Sequence, residues 1–273
     1  MRAAIAIVVT GLIAAVPLAS PSTAIEHGSL VIAMPVASGW MVCGDKRKMS
    51  NLVAPTEDEV KVFALGPGVV AAATGLRRVI EGETLFDVVE RTQAFARTRP
   101  FDGRDDYAEA LAKALGADFG RMVSDRVWPQ IVEQELKAKS AFTVALFWVA
   151  KGGLPRWADV NYHLVGGPRY TSRSTNDVLA TTNKLRPVVL GNLAVVDELQ
   201  HGHQPAFADA RRDAEVRRFL IAPYLWREQS SPAAERFGRR LIELTSARLG
   251  ELQRTPPDVG PTADCVSVAV TAT

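Results

Sequence analysis

The chain has 273 residues, 47% of them hydrophobic and 23% charged, with a formal charge of +2 at pH 7. That balance belongs to a soluble globular protein with a sizeable core. Basic residues are interleaved with acids, as in "RRDAEVRR" from Arg211 to Arg218, which excludes the uncompensated basic stripe of a nucleic-acid binder.

The first segment is a basic start, Met1-Arg2, followed by an uncharged apolar stretch from Ala3 to Ala19 and then "SPSTA". The apolar stretch is short for a membrane span, which needs about 20 residues. Small residues at Ser22-Thr23-Ala24 suit a signal peptidase. The expectation is a cleaved signal peptide over residues 1–24 and a periplasmic or secreted protein, with an uncleaved anchor, or a wrong start or buried strand, as the alternatives. No stable membrane span would remain after processing.

Next comes "IEHGSLVIAMPVASGWMVCGDKRKM". Ser29 to Met34 and Trp40 to Cys43 are apolar runs around a turn, which predicts a β-hairpin. "EVKVFAL" (Glu59–Leu65) alternates as a third strand. "GPG" at 66–68 turns the chain, and "VVAAATG" (Val69–Gly75) is a fourth strand of small residues. In "TLFDVVERTQAFART" (Thr84–Thr98), Leu85, Val88, Val89 and Phe95 have helical spacing. Tyr107 to about Lys137 is amphipathic and predicts two helices meeting near Ser124 or Pro129.

Strand signals return in "AFTVALFWVA" (Ala141–Ala150), from Trp157 onward, and in "RPVVLGN" (Arg186–Asn192). Helices are expected over Leu193–Leu199, Ala208–Leu225 and Ala233–Leu252. "CVSVAVTA" (Cys265–Ala272) closes the chain as a strand. Strands, helices, strands, helices, strand is not the βαβ rhythm of a parallel sheet. It fits two antiparallel sheets with helices packed outside, in one domain.

Cys43 and Cys265 can pair in an oxidising compartment. The good packing of free cysteine in cores favours two unpaired buried residues instead. His27, His163, His201 and His203 show no Cys/His ligand spacing, so no metal and no cofactor is expected.

Taking Ser29 as origin, Asp45 stands 16 residues on, Arg47 18, Lys61 32 and Gly75 46. With "GSLVIA", "CGDKRKM", "VKVFAL" and "VAAATG", these spacings resemble the proteasome β-type branch of the N-terminal-nucleophile hydrolases. The resemblance is by motif as far as Gly75 and by pattern beyond it. It implies an α+β fold, a four-layer αββα sandwich with two antiparallel sheets between helical layers, over residues 29–273. It also implies self-cleavage of Gly28–Ser29, with Ile25 to Gly28 as a short propeptide.

In that scheme Ser29 is the nucleophile and its freed amine the base. An α-amino group has an ordinary pKa of about 7.7–8.0, and a nearby ammonium keeps it neutral. Lys61 would be that neighbour and Asp45 its orienting partner. Arg47 would support the aspartate loop, and the Gly75 N–H would face the developing oxyanion.

The sequence departs from the family in carrying serine in place of threonine and Asn192 where a serine is usual. Asp258 and Thr262 are candidates for the later site residues, with Asp264 competing with Asp258. For substrate binding, Ala73 would leave room in a pocket. Arg77 would favour an acidic group, or else is an exposed arginine at a helix start, and Lys48 stands beside the nucleophile. The expected substrate is a peptide or amide. The family stacks in rings, so a homo-oligomer is possible. The alternative reading is a non-catalytic binding or assembly protein of the same fold.

Overall fold

A computed structural model describes residues 24–28, 30–103, 106–125, 141–164, 170–175, 187–191, 230–252 and 257–269. Ser29, Asn192, His201 and His203 lie outside the described residues, as do the helices expected over 126–137, 193–199 and 208–225. Among the described residues no helix is long and apolar enough to cross a membrane.

The chain is a mixed α and β structure in which the paired strands run antiparallel. The hairpin read from the sequence is β2 (Leu30–Val36) and β3 (Gly39–Asp45), after a short first strand β1 (Ala24–His27). β2 and β3 are central in a four-stranded sheet, flanked by β12 (Val188–Gly191) and β13 (Ala263–Ala269).

A five-stranded sheet joins β5 (Val62–Gly66), β6 (Val69–Gly75), β9 (Phe142–Val149), β10 (Pro155–Leu164) and β11 (Tyr170–Thr175), the last not expected from sequence. A third sheet, also unexpected, places β1 between β4 (Met49–Ser50) and β7 (Arg78–Glu81), with β8 (Glu83–Asp87) beyond β7.

Period-two alternation explains why β2 and β3 read as unbroken apolar runs: both faces of each strand are covered. Leu30, Ile32, Met34, Met41 and Cys43 share one apolar cluster with Ala234, Phe237, Leu241 and Ile242. Those four belong to a helix over Ser231–Leu252, with buried side chains three to four residues apart. The opposite faces, Val31, Ala33, Trp40 and Val42, cluster with Val62, Val70, Ala72, Ala145 and Phe147 of the five-stranded sheet. The outer face of that sheet, with Ala71, Phe142, Leu146 and Val160, clusters with α1 (Val88–Thr98) and α2 (Asp106–Asp125) through Val88, Tyr107, Leu111 and Phe119.

α1 starts later than its apolar spacing suggests. Residues 83–87 pair with β7 as a strand, and Asp87 then caps the helix, accepting the Glu90 N–H at 2.9 Å. An aspartate cap with a glutamate three residues on is a stronger start signal than the Leu85 position. A second difference lies at Glu59–Lys61: the two charged residues are buried and Val60 between them is 49% exposed.

Cys43 and Cys265 form a disulfide between β3 and β13, which overturns the expectation of two unpaired core cysteines. They are directly opposite in the register, so tertiary pairing brings together two thiols that lie 222 residues apart. Replacing both by alanine should destabilise the protein by about 2–5 kcal/mol in urea unfolding. The unreduced, denatured wild-type chain should show no free thiol in a dithionitrobenzoate titration.

Candidate active site

Three of the residues singled out by spacing, Asp45, Arg47 and Lys61, meet at one end of the β2–β3 hairpin. Asp45 ends β3 and is fully buried, an expensive place for a carboxylate unless every lone pair is used. Its Oδ1 accepts the Leu30 N–H at 2.6 Å, and its Oδ2 accepts the N–H groups of Arg47 at 3.1 Å and Gly260 at 3.0 Å. The Lys61 ammonium reaches both oxygens at 2.8 Å and donates also to the Arg47 carbonyl at 2.6 Å. Lys61 is 4% exposed. Burial holds its pKa below the ordinary lysine value, against the opposing pull of Asp45, Glu59 and Asp258. The result is a lysine held on a fixed frame and able to part with its proton more readily than a solvated one.

Arg47 braces this corner through its main chain and its side chain. Its Nε binds Glu57 and its NH1 donates to the Pro257 carbonyl at 3.0 Å, tying two loops together. Lys46 N–H donates to the Thr262 carbonyl, and the Thr262 hydroxyl donates to Glu57. The segment from 257 to 262 is thereby held against the Asp45 loop.

Within that segment Asp258 lies beside Gly28: a Cβ on Gly28 would stand 3.0 Å from the Asp258 carbonyl and 3.3 Å from Met49. Gly28 has φ +107°, a region costly for residues with a Cβ. Asp264 is placed elsewhere, on β13 opposite Gly44, in a half-exposed ion pair with Lys46 at 3.5 Å.

Gly75 ends β6 with φ +85°, and a Cβ there would meet the Ala141 carbonyl at 2.7 Å. The Lys61 carbonyl accepts the Ala73 N–H at 2.9 Å, which fixes this strand end to the Asp45–Lys61 pair. β1 pairs with β7 through Glu26 opposite Arg78, and the Arg77 N–H donates to the Glu26 carbonyl at 2.7 Å.

Of the three residues considered for substrate binding, Ala73 and Arg77 are placed differently from the expectation. Ala73 is buried in the apolar cluster shared with α1 and α2, where it lines core. Arg77 is 9% exposed and sits between strands, not at a helix start. Its Nε binds Glu59 at 2.8 Å and its NH1 binds Asp87, so its charge is matched inside the protein. Lys48 faces Glu26 at 3.6 Å and Asp58 at 3.9 Å.

Glu26, Glu59 and Asp87 are therefore part of the charge network around the site, and sequence reasoning missed all three. A signal existed for Glu59 and Asp87, a charge breaking an apolar strand pattern and a helix cap, but neither names a partner.

No group of three or more metal-ligating side chains occurs among the described residues. No protein-family model matches the chain and no curated protein sequence matches it. Among solved structures it is similar to the helical assembly of the Anbu complex from Pseudomonas aeruginosa, with TM-score 0.48 and 11% identity, over 87% of this chain and 80% of that one.

Two outcomes follow from this geometry. Lys61→Met should cost about 3–5 kcal/mol, because it leaves the Asp45 carboxylate buried without its cation; a large part should return in Asp45→Asn/Lys61→Met, read by chemical denaturation. Asp87 is a buried acid-sensitive point. Burial works to raise its pKa, but the Glu90 N–H together with Arg77 and Arg78 holds it below the ordinary aspartate value. A carboxylate depressed in the folded state contributes stability that is present above about pH 4 and lost as pH falls through its folded pKa. Stability measured from pH 6 down to 2 should fall less steeply in Asp87→Asn than in wild type.

Proposed function

We propose that the chain is an exported hydrolase of peptide or amide bonds that uses Ser29 as an N-terminal nucleophile, freed by cleavage of its own Gly28–Ser29 bond. One observation carries this reading: a single buried carboxylate, Asp45, binds both the Lys61 ammonium and the N–H of Leu30, the residue after Ser29. A cation is thereby tied within one residue of the proposed catalytic amine. The finer fold assignment, a four-layer αββα sandwich of N-terminal-nucleophile type, is supported by the three apolar clusters, one between two sheets and one outside each.

In the first reaction the Ser29 hydroxyl attacks the Gly28 carbonyl. The C–N bond to Ser29 breaks, an ester forms between Gly28 and the serine oxygen, and the Ser29 nitrogen leaves as a free amine. Water then opens the ester, giving a Gly28 carboxylate and a restored hydroxyl. The left-handed backbone at Gly28 suits the close approach this attack requires.

In the second reaction the neutral Ser29 amine takes the hydroxyl proton while the oxygen attacks a substrate amide. The Gly75 N–H is the candidate donor to the oxyanion. The leaving amine carries the proton away, and water hydrolyses the acyl ester to regenerate the serine. Asp45 and Lys61 bear on the amine's protonation, and Arg47 and Asp258 frame the corner.

The mature N-terminus tests this directly. Protein purified from an exporting host should begin at Ser29 by intact mass, should be labelled there by a β-lactone, and should retain residues 25–28 in Ser29→Ala. An N-terminus at Ile25 in both proteins, without label, would overturn the proposal and leave a non-catalytic binding or assembly protein.

A further inference from the structure

The strand that precedes Ser29 is itself a bound ligand in form. β1 lies between two strands and pairs with both: Glu26 and His27 with β4, Ala24 to Glu26 with β7. It thus fills a slot with a strand edge on either side. The carboxylate of Glu26 is the one described side chain of β1 buried in that slot, 6% exposed. It binds Arg78 NH1 at 2.7 Å and lies 3.6 Å from the Lys48 ammonium.

The receiving cations are braced from behind. Arg78 Nε donates to Asp87 at 2.9 Å, and Asp87 is held in turn by Arg77 and the Glu90 N–H. The Lys48 main chain is held by paired backbone bonds with Thr56, at 2.9 and 3.2 Å, and its ammonium lies 3.9 Å from Asp58. None of these braces involves Glu26, so the two cations are set in place for an incoming carboxylate.

We propose that this slot is a binding site for an extended peptide with an acidic side chain at the place of Glu26. The proposal rests on the reading that residues 25–28 leave after cleavage, which would free the slot. Main-chain pairing to β4 and β7 supplies sequence-independent affinity. The Arg78–Lys48 pair supplies selection, because a neutral side chain there would take a carboxylate from both cations, leaving Arg78 to Asp87 and Lys48 to the more distant Asp58 at 3.9 Å. The preferred substrate then carries glutamate or aspartate two residues before the residue that takes Gly28's place.

The test begins with intact mass of the purified protein, which reports separately on the Gly28–Ser29 cleavage. If residues 25–28 are gone, a fluorescein-labelled Ala-Ile-Glu-His-Gly peptide is titrated against its Gln counterpart. The Glu peptide should bind at least tenfold more tightly, and Lys48→Met should shrink that ratio without weakening the Gln peptide. If residues 25–28 are retained, the same selection is read in cis. Glu26→Gln should then speed amide hydrogen exchange over residues 25–27 at least tenfold, with the exchange of β9 unchanged. Equal affinities, failure of both peptides to bind, or unchanged exchange would overturn the proposal.

Discussion

A carboxylate with no access to water organises this protein. Asp45 is buried completely, and a carboxylate in that position is tolerable only because its two oxygens accept three backbone N–H groups and face one ammonium. Those donors come from four places in the chain: the start of β2, the turn after β3, the residue before β5 and the loop before β13. Satisfying one charge therefore fixes the relative positions of segments far apart in sequence. Ser29 is next to one donor, and Gly28 is packed against the loop that supplies another.

A second charge network continues from this corner along the third sheet. Glu26, Arg78, Asp87, Arg77 and Glu59 form a chain of alternating charge, largely buried, that joins β1, β7, the cap of α1 and the approach to β5. Its consequence is positional. The segment before Ser29 is locked at both strand edges and at a side chain, so the Gly28 backbone is delivered to one place, against Asp258 and Met49. The apolar clusters do a different job. They hold two sheets and their helices together, and their side chains are nondirectional, so they set the stack and leave the polar corner to hydrogen bonds.

The hairpin of β2 and β3, strands β6 and β9, and the helix over Ser231–Leu252 were legible because each repeats its apolar residues with the period of its own geometry. Asp45, Arg47 and Lys61, which meet in the structure, were legible as a spaced set. The reading failed where charge replaced hydrophobicity as the reason for burial. In "EVK" the alternation of a strand survives, but it is inverted, with Glu59 and Lys61 inside and Val60 outside. Residues 24–27, too short to show a period, became a strand through partners on either side. Arg77 looked like a surface arginine because nothing local says that Glu59 and Asp87 will close around it.

The amino-acid order alone determined the alternation of elements, the antiparallel character of the sheets and the candidate corner, since these follow from periodicity and from intervals measured along one chain. Tertiary structure decided what occupies each buried charge, that Cys43 faces Cys265, and that Asp258 and not Asp264 adjoins Gly28. Those are pairings between residues as many as 222 positions apart. Local pattern carries no term for them, because the cost of an unpaired buried charge or thiol exists only once two distant segments have been packed together.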